Sequence, residues 1–390
     1  MRAENPSRHG AGPSVGIAGA GLLGRLLAWR LAHAGWRVAV FDPAESAEPV
    51  FRSQAGDPYV PTAAGFTAAG MLSPLAELDN AEPGEAALGW RSIELWRDIA
   101  ANLPQAPYFR AEGSLMLAHR TDLGAAQRVL ERLRAATATP EWQRLSPPEG
   151  VQALDLPTLR TLEPAIQGPA LAWLLPGEAQ VDTVAMMAAL HADAPGVDWH
   201  WRAPVLALQA GARGGALQLA DGRLLAFDRV IDVRGVGAKP ELPVRGVRGE
   251  VAWLHCPGHG LTRPTRLLHP RHRVYLVPRP GDVLIVGASE IETEDRSPAS
   301  LRSVVELLAA AHSVVPALAE ARILKLDVNL RPALPDNNPL VAWQGRKLTI
   351  NGLFRHGWLL APALVEQALR LTGWCAAEEV APEIEAASAG

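Results

Sequence analysis

Val15-Gly-Ile-Ala-Gly19-Ala-Gly21-Leu22-Leu23-Gly24, then the apolar run Leu26 to Ala34, then Gly35 and Trp36-Arg-Val-Ala-Val-Phe-Asp42, decide the architecture of this chain. An apolar strand runs into a Gly-x-Gly-x-x-Gly turn that opens an apolar helix. Gly35 stops the helix, and a second apolar strand closes on an acid. Gly19 permits the tight turn, Gly21 lets backbone approach a pyrophosphate, and Gly24 lets helix and strand pack closely. The helix start at Leu22 and Leu23 offers free N–H groups and a positive dipole end to phosphates. Asp42 stands where a carboxylate accepts hydrogen bonds from ribose hydroxyls. A dinucleotide with a free 2′-hydroxyl is expected, FAD or NAD rather than NADP.

The remaining composition is that of an ordinary globular protein. Of 390 residues, 48% are hydrophobic and 20% charged, with a formal net charge of -4. Nothing in that balance attracts nucleic acid or an anionic membrane surface. Two cysteines, Cys256 and Cys375, make no disulfide framework and fit a reducing compartment. The polar start, residues 1–13, reads as a tail, and Val15 to Ala28 carries too many glycines for a signal peptide. No apolar run reaches the roughly 18 residues of a membrane span, so the expected location is the cytoplasm. Cys256-x-x-His259 with His269-x-x-His272 offers a single thiolate at scattered spacing, too little for zinc, and no metal is expected.

Apolar spacing predicts helices over 84–103, 123–137, 184–194, 300–315 and 362–371. Strands are expected at 108–119, 170–175, 180–182, 229–233, 249–254, 273–278, 283–288, 322–330, 340–343 and 347–351. A hairpin is expected across 205–228, turning at Asp221-Gly222. Arg234-Gly235-Val-Gly237 forms a second glycine-bearing turn. The fold class is α/β (α+β overall). A Rossmann-like dinucleotide domain is assembled from the discontinuous segments 14–84, 170–243 and 326–385. A substrate domain with a mixed or antiparallel sheet comes from 85–169 and 244–325, and 1–13 and 386–390 are flexible tails.

Four pieces of sequence converge. They are the glycine triad with Asp42; Ala69-Gly70-Met71-Leu72-Ser-Pro74 with Glu77; Val274-Tyr275-Leu-Val-Pro278-Arg followed by Ile285-Val-Gly287-Ala-Ser289; and Leu330-Arg331-Pro332-Ala-Leu-Pro-Asp336 with Gly352-Leu-Phe-Arg355-His-Gly357-Trp358-Leu359-Leu-Ala361-Pro362. Together they resemble the D-amino-acid oxidase superfamily of FAD enzymes, over about Val15 to Leu371. Within it they are most similar to the glycine oxidases that serve thiamine biosynthesis. The resemblance implies the D-amino-acid oxidase fold with non-covalent FAD, since no cysteine lies near the Gly352–Gly357 loop.

The residues agree with that chemistry. A guanidinium fork binds a carboxylate bidentately, as Lys cannot, and Arg331 leaves a strand at a Pro-rich turn. Tyr275 can donate to the same carboxylate; a structural ion pair and sheet packing are the plain alternatives for the two. By resemblance Arg331 and Tyr275 clamp the substrate. Arg355 holds substrate or neutralises the reduced ring, and Met71 lies beside the isoalloxazine or in the core. Ala69, Gly70, Gly235, Gly352, Gly357, Trp358 and Leu359 complete the cofactor-binding set. The implied activity is oxidative deamination of glycine or a similar small amine by hydride transfer to flavin N5. The imine and hydrogen peroxide are the products, dioxygen is the acceptor, and the imine feeds thiamine thiazole assembly. A homo-oligomer is implied, with no nucleic-acid or membrane partner. A quinone-linked D-amino-acid dehydrogenase and a tRNA-modifying oxidoreductase domain are the alternatives. Arg273 and Glu290 depart from the family pattern, which has histidine and methionine there, so the amine accepted is the open point.

Overall fold

The computed structural model describes residues 12–50, 61–79, 83–140, 142, 150–268 and 273–374. Two large sheets organise it. The first has six strands in the order Leu340–Gln344, Lys347–Asn351, Arg229–Asp232, Ser14–Ala18, Arg37–Phe41, Asp198–His200. All neighbours are parallel except the outer Leu340–Gln344 pair. Parallel strands of this kind are covered on their faces, so they read as continuous apolar runs. Val15, Ile17, Val38 and Val40 are fully or nearly fully buried, packed with Leu26, Leu27 and Leu31 of the helix Leu22–His33.

The second sheet has eight strands: Arg322–Ala333, Arg245–His255, Val283–Gly287, Arg273–Arg279, Thr265–Leu268, Ser114–Ala118, Leu171–Leu175, Gln152–Leu154. Only Thr265–Leu268 and Ser114–Ala118 run parallel. The α/β class with a mixed second sheet is as the motifs imply, but the sheets do not divide at 170 and 326. Leu171–Leu175 and the whole of Arg322–Ala333 belong to the eight-stranded sheet. Arg331 therefore lies inside a strand that continues through Pro332, not beyond its end. Pro332 is tolerated because this is the sheet's outer strand, where one N–H is not needed.

Two further expectations need correction. The region 205–228 is a three-stranded meander, Val205–Ala210, Gly215–Leu219 and Leu224–Phe227, rather than a single hairpin. The last helix runs Gly357–Thr372, starting five residues before Pro362. Proline at that position removes the N–H that Trp358 O would accept. The Trp96 indole, fully buried on the helix Pro83–Asn102, donates to Trp358 O instead at 2.8 Å. Residues 1–11 of the expected first tail, the expected tail 386–390, and Cys375, His269 and His272 lie outside the described residues. Cys256 Sγ donates to Ala317 O at 3.5 Å and His259 Nδ1 accepts from Leu261 N, so both have local partners.

Candidate active site

One cavity of about 1080 Å³ runs between the two sheets. Pockets for small ligands span about 300–1,000 Å³, so this one has room for a dinucleotide and a second small molecule. At one end the glycine triad turns the chain. Gly19 has φ +106°, and a Cβ there would stand 2.6 Å from Val233 O. A Cβ on Gly24 would strike Gly19 O, so Gly24 acts in helix–strand packing and does not line the cavity. Gly21, Leu22 and Leu23 do line it. Their helix starts without a capping side chain or an acid in its first turn, which leaves the first amides available to an anion.

Asp42 ends the second parallel strand and accepts from Ala20 N at 2.6 Å and Ala44 N at 2.8 Å. Burial pushes its carboxyl pKa up, against those two hydrogen bonds and Arg25. Arg25 is itself buried, and its guanidinium donates to three carbonyls, Ala20 O, Met187 O and Ala47 O. It ties the turn to two distant segments, and desolvation lowers its pKa to about 10.

Toward the other end the cavity is walled by Ala69, Gly70, Met71, Gly235, Gly352, Gly357, Trp358 and Leu359. Gly70 has φ +67°, and a Cβ there would strike Val181 O. Asn351 holds this wall: its Nδ2 donates to Gly235 O at 3.0 Å and its Oδ1 accepts from Gly352 N at 2.7 Å. The helix Gly357–Thr372 also begins with no capping side chain and no acid, so a second positive dipole end faces the cavity.

Beyond that wall lie Tyr275, Arg331 and Arg355, with Met71 half-buried beside them. Arg331 Nη1 donates to Ser289 O at 3.1 Å and Arg248 O at 3.4 Å. Among the described residues no carboxylate forms an ion pair with it. Burial lowers its pKa, while Tyr275 and Glu290 oppose that shift. The Tyr275 ring lies against the backbone of Gly287, where a Cβ would stand 2.6 Å from its Cζ and hydroxyl oxygen. Burial raises its hydroxyl pKa, against the nearby guanidinia of Arg331, Arg266 and Arg279.

Arg355 is held by an acid that the sequence reading quoted but gave no role. Glu77 Oε1 accepts from Arg266 Nη2 at 2.7 Å, and Oε2 from Arg355 Nη2 at 2.9 Å, with His356 Nε2 at 3.0 Å. Burial works against the charge. Arg266, the His356 hydrogen bond and Arg355 nonetheless hold this carboxyl well below the usual range. Arg266 has no signal of its own in the sequence, since a single cation in the short strand Thr265–Leu268 carries no spacing pattern. Glu290 lines the cavity with Oε2 3.7 Å from Arg355 Nη1. Arg273 has its backbone in the strand Arg273–Arg279, and its side chain is outside the described atoms.

The family model for FAD dependent oxidoreductases, DAO, matches residues 14–368. The chain belongs to the DAO family of FAD-dependent oxidoreductases. A Rhizobium etli protein described as a thiamine biosynthesis oxidoreductase, ThiO, is 36% identical over 360 residues, covering 91% of this chain and 94% of that one. A glycine oxidase of Bacillus licheniformis is 28% identical, covering 90% of each chain. The solved glycine oxidase of Geobacillus kaustophilus shares the fold: TM-score 0.75, 24% identity, 95% of this chain and 100% of that one. The cofactor of this DAO-family enzyme is FAD, and the site fits it on its own chemistry. Two uncapped helix starts face one cavity, with a carboxylate near the first and close-approach glycines near both. Among the described residues no helix is long and apolar enough to cross a membrane.

Proposed function

We propose that this enzyme oxidises glycine or a similarly small amino acid at its α-carbon, giving an imine and hydrogen peroxide. The observation that carries the reading is the Arg331 guanidinium, desolvated in the FAD cavity beside Tyr275 and without a carboxylate partner among the described residues. A half-buried cation without a counter-charge is stabilised when an anion meets it. A substrate carboxylate supplies that anion, bidentate on Arg331, and the Tyr275 hydroxyl donates to the same group. Held by its carboxylate, the substrate turns its α-carbon to the wall formed by Gly70, Met71 and Gly352, with its amine unprotonated. Bound FAD would supply the hydride acceptor and the route by which the electrons reach dioxygen. Arg355, fixed by Glu77, adds positive charge where negative charge develops. No strong base is required of the chain, and the imine hydrolyses in water. The names of the ThiO and glycine oxidase relatives support this reading, and supply of an imine to thiamine thiazole assembly is part of the proposal.

The test is a peroxide assay of the yellow holoenzyme across glycine, sarcosine and D-alanine, with anaerobic bleaching followed in parallel. Turnover of at least one small amino acid is expected, with Arg331→Ala raising KM about a hundredfold or more while FAD stays bound, as for loss of a buried charge-assisted contact. Absence of bleaching by any of the three, or unchanged kinetics in Arg331→Ala, refutes it.

A further inference from the structure

We propose that Glu290 is a specificity-determining residue: its carboxylate makes the site select amino acids with a single negative charge and reject those whose nitrogen substituent carries a second. The inference rests on the reading that Arg331 receives the substrate carboxylate.

At the Arg331 end the lining carries three guanidinia, Arg266, Arg331 and Arg355, and two carboxylates, Glu77 and Glu290. Glu77 is saturated, with three donors on its two oxygens. Glu290 is different. Its side chain is 46% exposed, its nearest cation is Arg355 Nη1 at 3.7 Å, and no hydrogen bond reaches either of its oxygens among the described residues. It follows Ser289 directly, and Ser289 O accepts from Arg331 Nη1. The acid therefore stands beside the anion-receiving guanidinium, and its charge is felt there. The other charged lining groups are matched elsewhere: Asp42 lies near Arg25, Arg234 pairs with Asp232 and Glu241, Arg302 pairs with Glu306 at 3.2 Å, and Arg296 lies near Glu294.

Among the lining side chains at this end the surplus is one positive charge. A monocarboxylate with a neutral amine cancels it. A second carboxylate on the nitrogen substituent would leave an uncancelled anion in a partly desolvated cavity beside Glu290. Discrimination built from a like charge is the usual way a site excludes a close analogue. With Gln or Met at position 290 the surplus becomes two and a dianion is accommodated.

Non-oxidisable oxygen analogues separate binding from turnover. FAD-loaded enzyme is titrated with methoxyacetate (one carboxylate) and oxydiacetate (two), reading the flavin absorption change, for the natural chain, Glu290→Gln and Glu290→Met. The natural chain is expected to bind methoxyacetate about tenfold more tightly, the effect of one unit charge several ångströms away under partial screening. Both variants are expected to bring the ratio below about threefold, through tighter oxydiacetate. Equal or tighter binding of oxydiacetate by the natural chain overturns the proposal, as does a ratio unchanged in both variants. Should neither ligand perturb the flavin, and Arg331→Ala behave alike, the carboxylate-binding role of Arg331 falls and this inference falls with it.

Discussion

The Arg331 guanidinium fills the space that a side chain at position 249 would occupy: a Cβ on Gly249 would stand 2.6 Å from its Cζ, Nη1 and Nη2. Gly287 does the same for Tyr275, its cross-strand partner. Two glycines on adjacent strands thus cut the recess for both proposed substrate-binding groups. Gly249 sits in a regular strand paired with Asn329, so an added methyl strains no backbone there. It must displace the guanidinium instead. Gly249→Ala is expected to raise KM for glycine about tenfold or more, roughly the loss of one well-aligned contact. FAD content and thermal stability should stay near those of the natural chain. Steady-state kinetics with a flavin absorbance ratio checks this, and an unchanged KM would show that Arg331 does not need its present position.

Glu77 should matter for stability as well as for chemistry. Replacing it with Gln removes the counter-charge of two guanidinia, and breaking one partner from a buried pair costs about 3–5 kcal/mol. Gln still accepts one hydrogen bond, so the lower part of that range is expected, seen as a fall of several degrees in Tm at pH 7. The pH sign follows from the depressed carboxyl pKa. Its stabilisation is fully present above the ordinary carboxylate range and is lost as pH falls through the lower native value. The Tm gap between natural chain and Glu77→Gln should therefore be level from pH 8 to 5 and close only below about pH 4.5. A gap that closes already at pH 6 would show that the Glu77 carboxyl is not held below its usual range.

The parts of this enzyme legible from sequence are those fixed by local backbone demands. Gly19 and Gly24 must be glycine because backbone passes where a side chain would stand, and that constraint is written within six residues. Tyr275 stands out as one of only three tyrosines, and Arg331 by its place before a Pro-rich stretch within the family-like motif. Glu77 and Arg266 did not, because their meaning is a pairing across 189 positions of chain. The start of the last helix is hidden in the sequence for a related reason. Proline usually marks a first helical turn, and only the tertiary contact from Trp96 makes Pro362 acceptable further in. The strand carrying Arg331 likewise continued through Pro332 because it has no outer neighbour, a property of sheet order rather than of sequence.

The Trp96 indole is therefore more than core filling. Trp96→Phe keeps the ring but leaves the Trp358 carbonyl without the donor that Pro362 denies it. An unmatched buried carbonyl costs about 1–3 kcal/mol. Trp358 also donates through its own Nε1 to Gly65 O at 2.9 Å, and it lines the cavity at the helix start. The expected result is lower stability together with weaker FAD retention, measured by thermal unfolding and by flavin fluorescence in the ultrafiltrate. Loss of stability with unchanged FAD affinity would confine Trp96 to the core.

Lys325 offers a direct check on the arrangement of the outer strand. Its Nζ lies 4.0 Å from the centre of the Trp253 ring, and burial, opposed by Asp327, lowers its pKa to about 8. Because the folded state favours the neutral amine, this residue makes stability rise with pH between about 8 and its ordinary value of 10.5, and the penalty is full below 8. The chain has only three lysines, Lys239, Lys325 and Lys347, so reductive ¹³C-methylation gives a spectrum simple enough to assign. One dimethyl-lysine signal, shifted by the indole ring current, is expected to titrate with a midpoint near 8 and to vanish in Lys325→Arg. If no signal titrates below about pH 9.5, Lys325 is not packed against Trp253 as described.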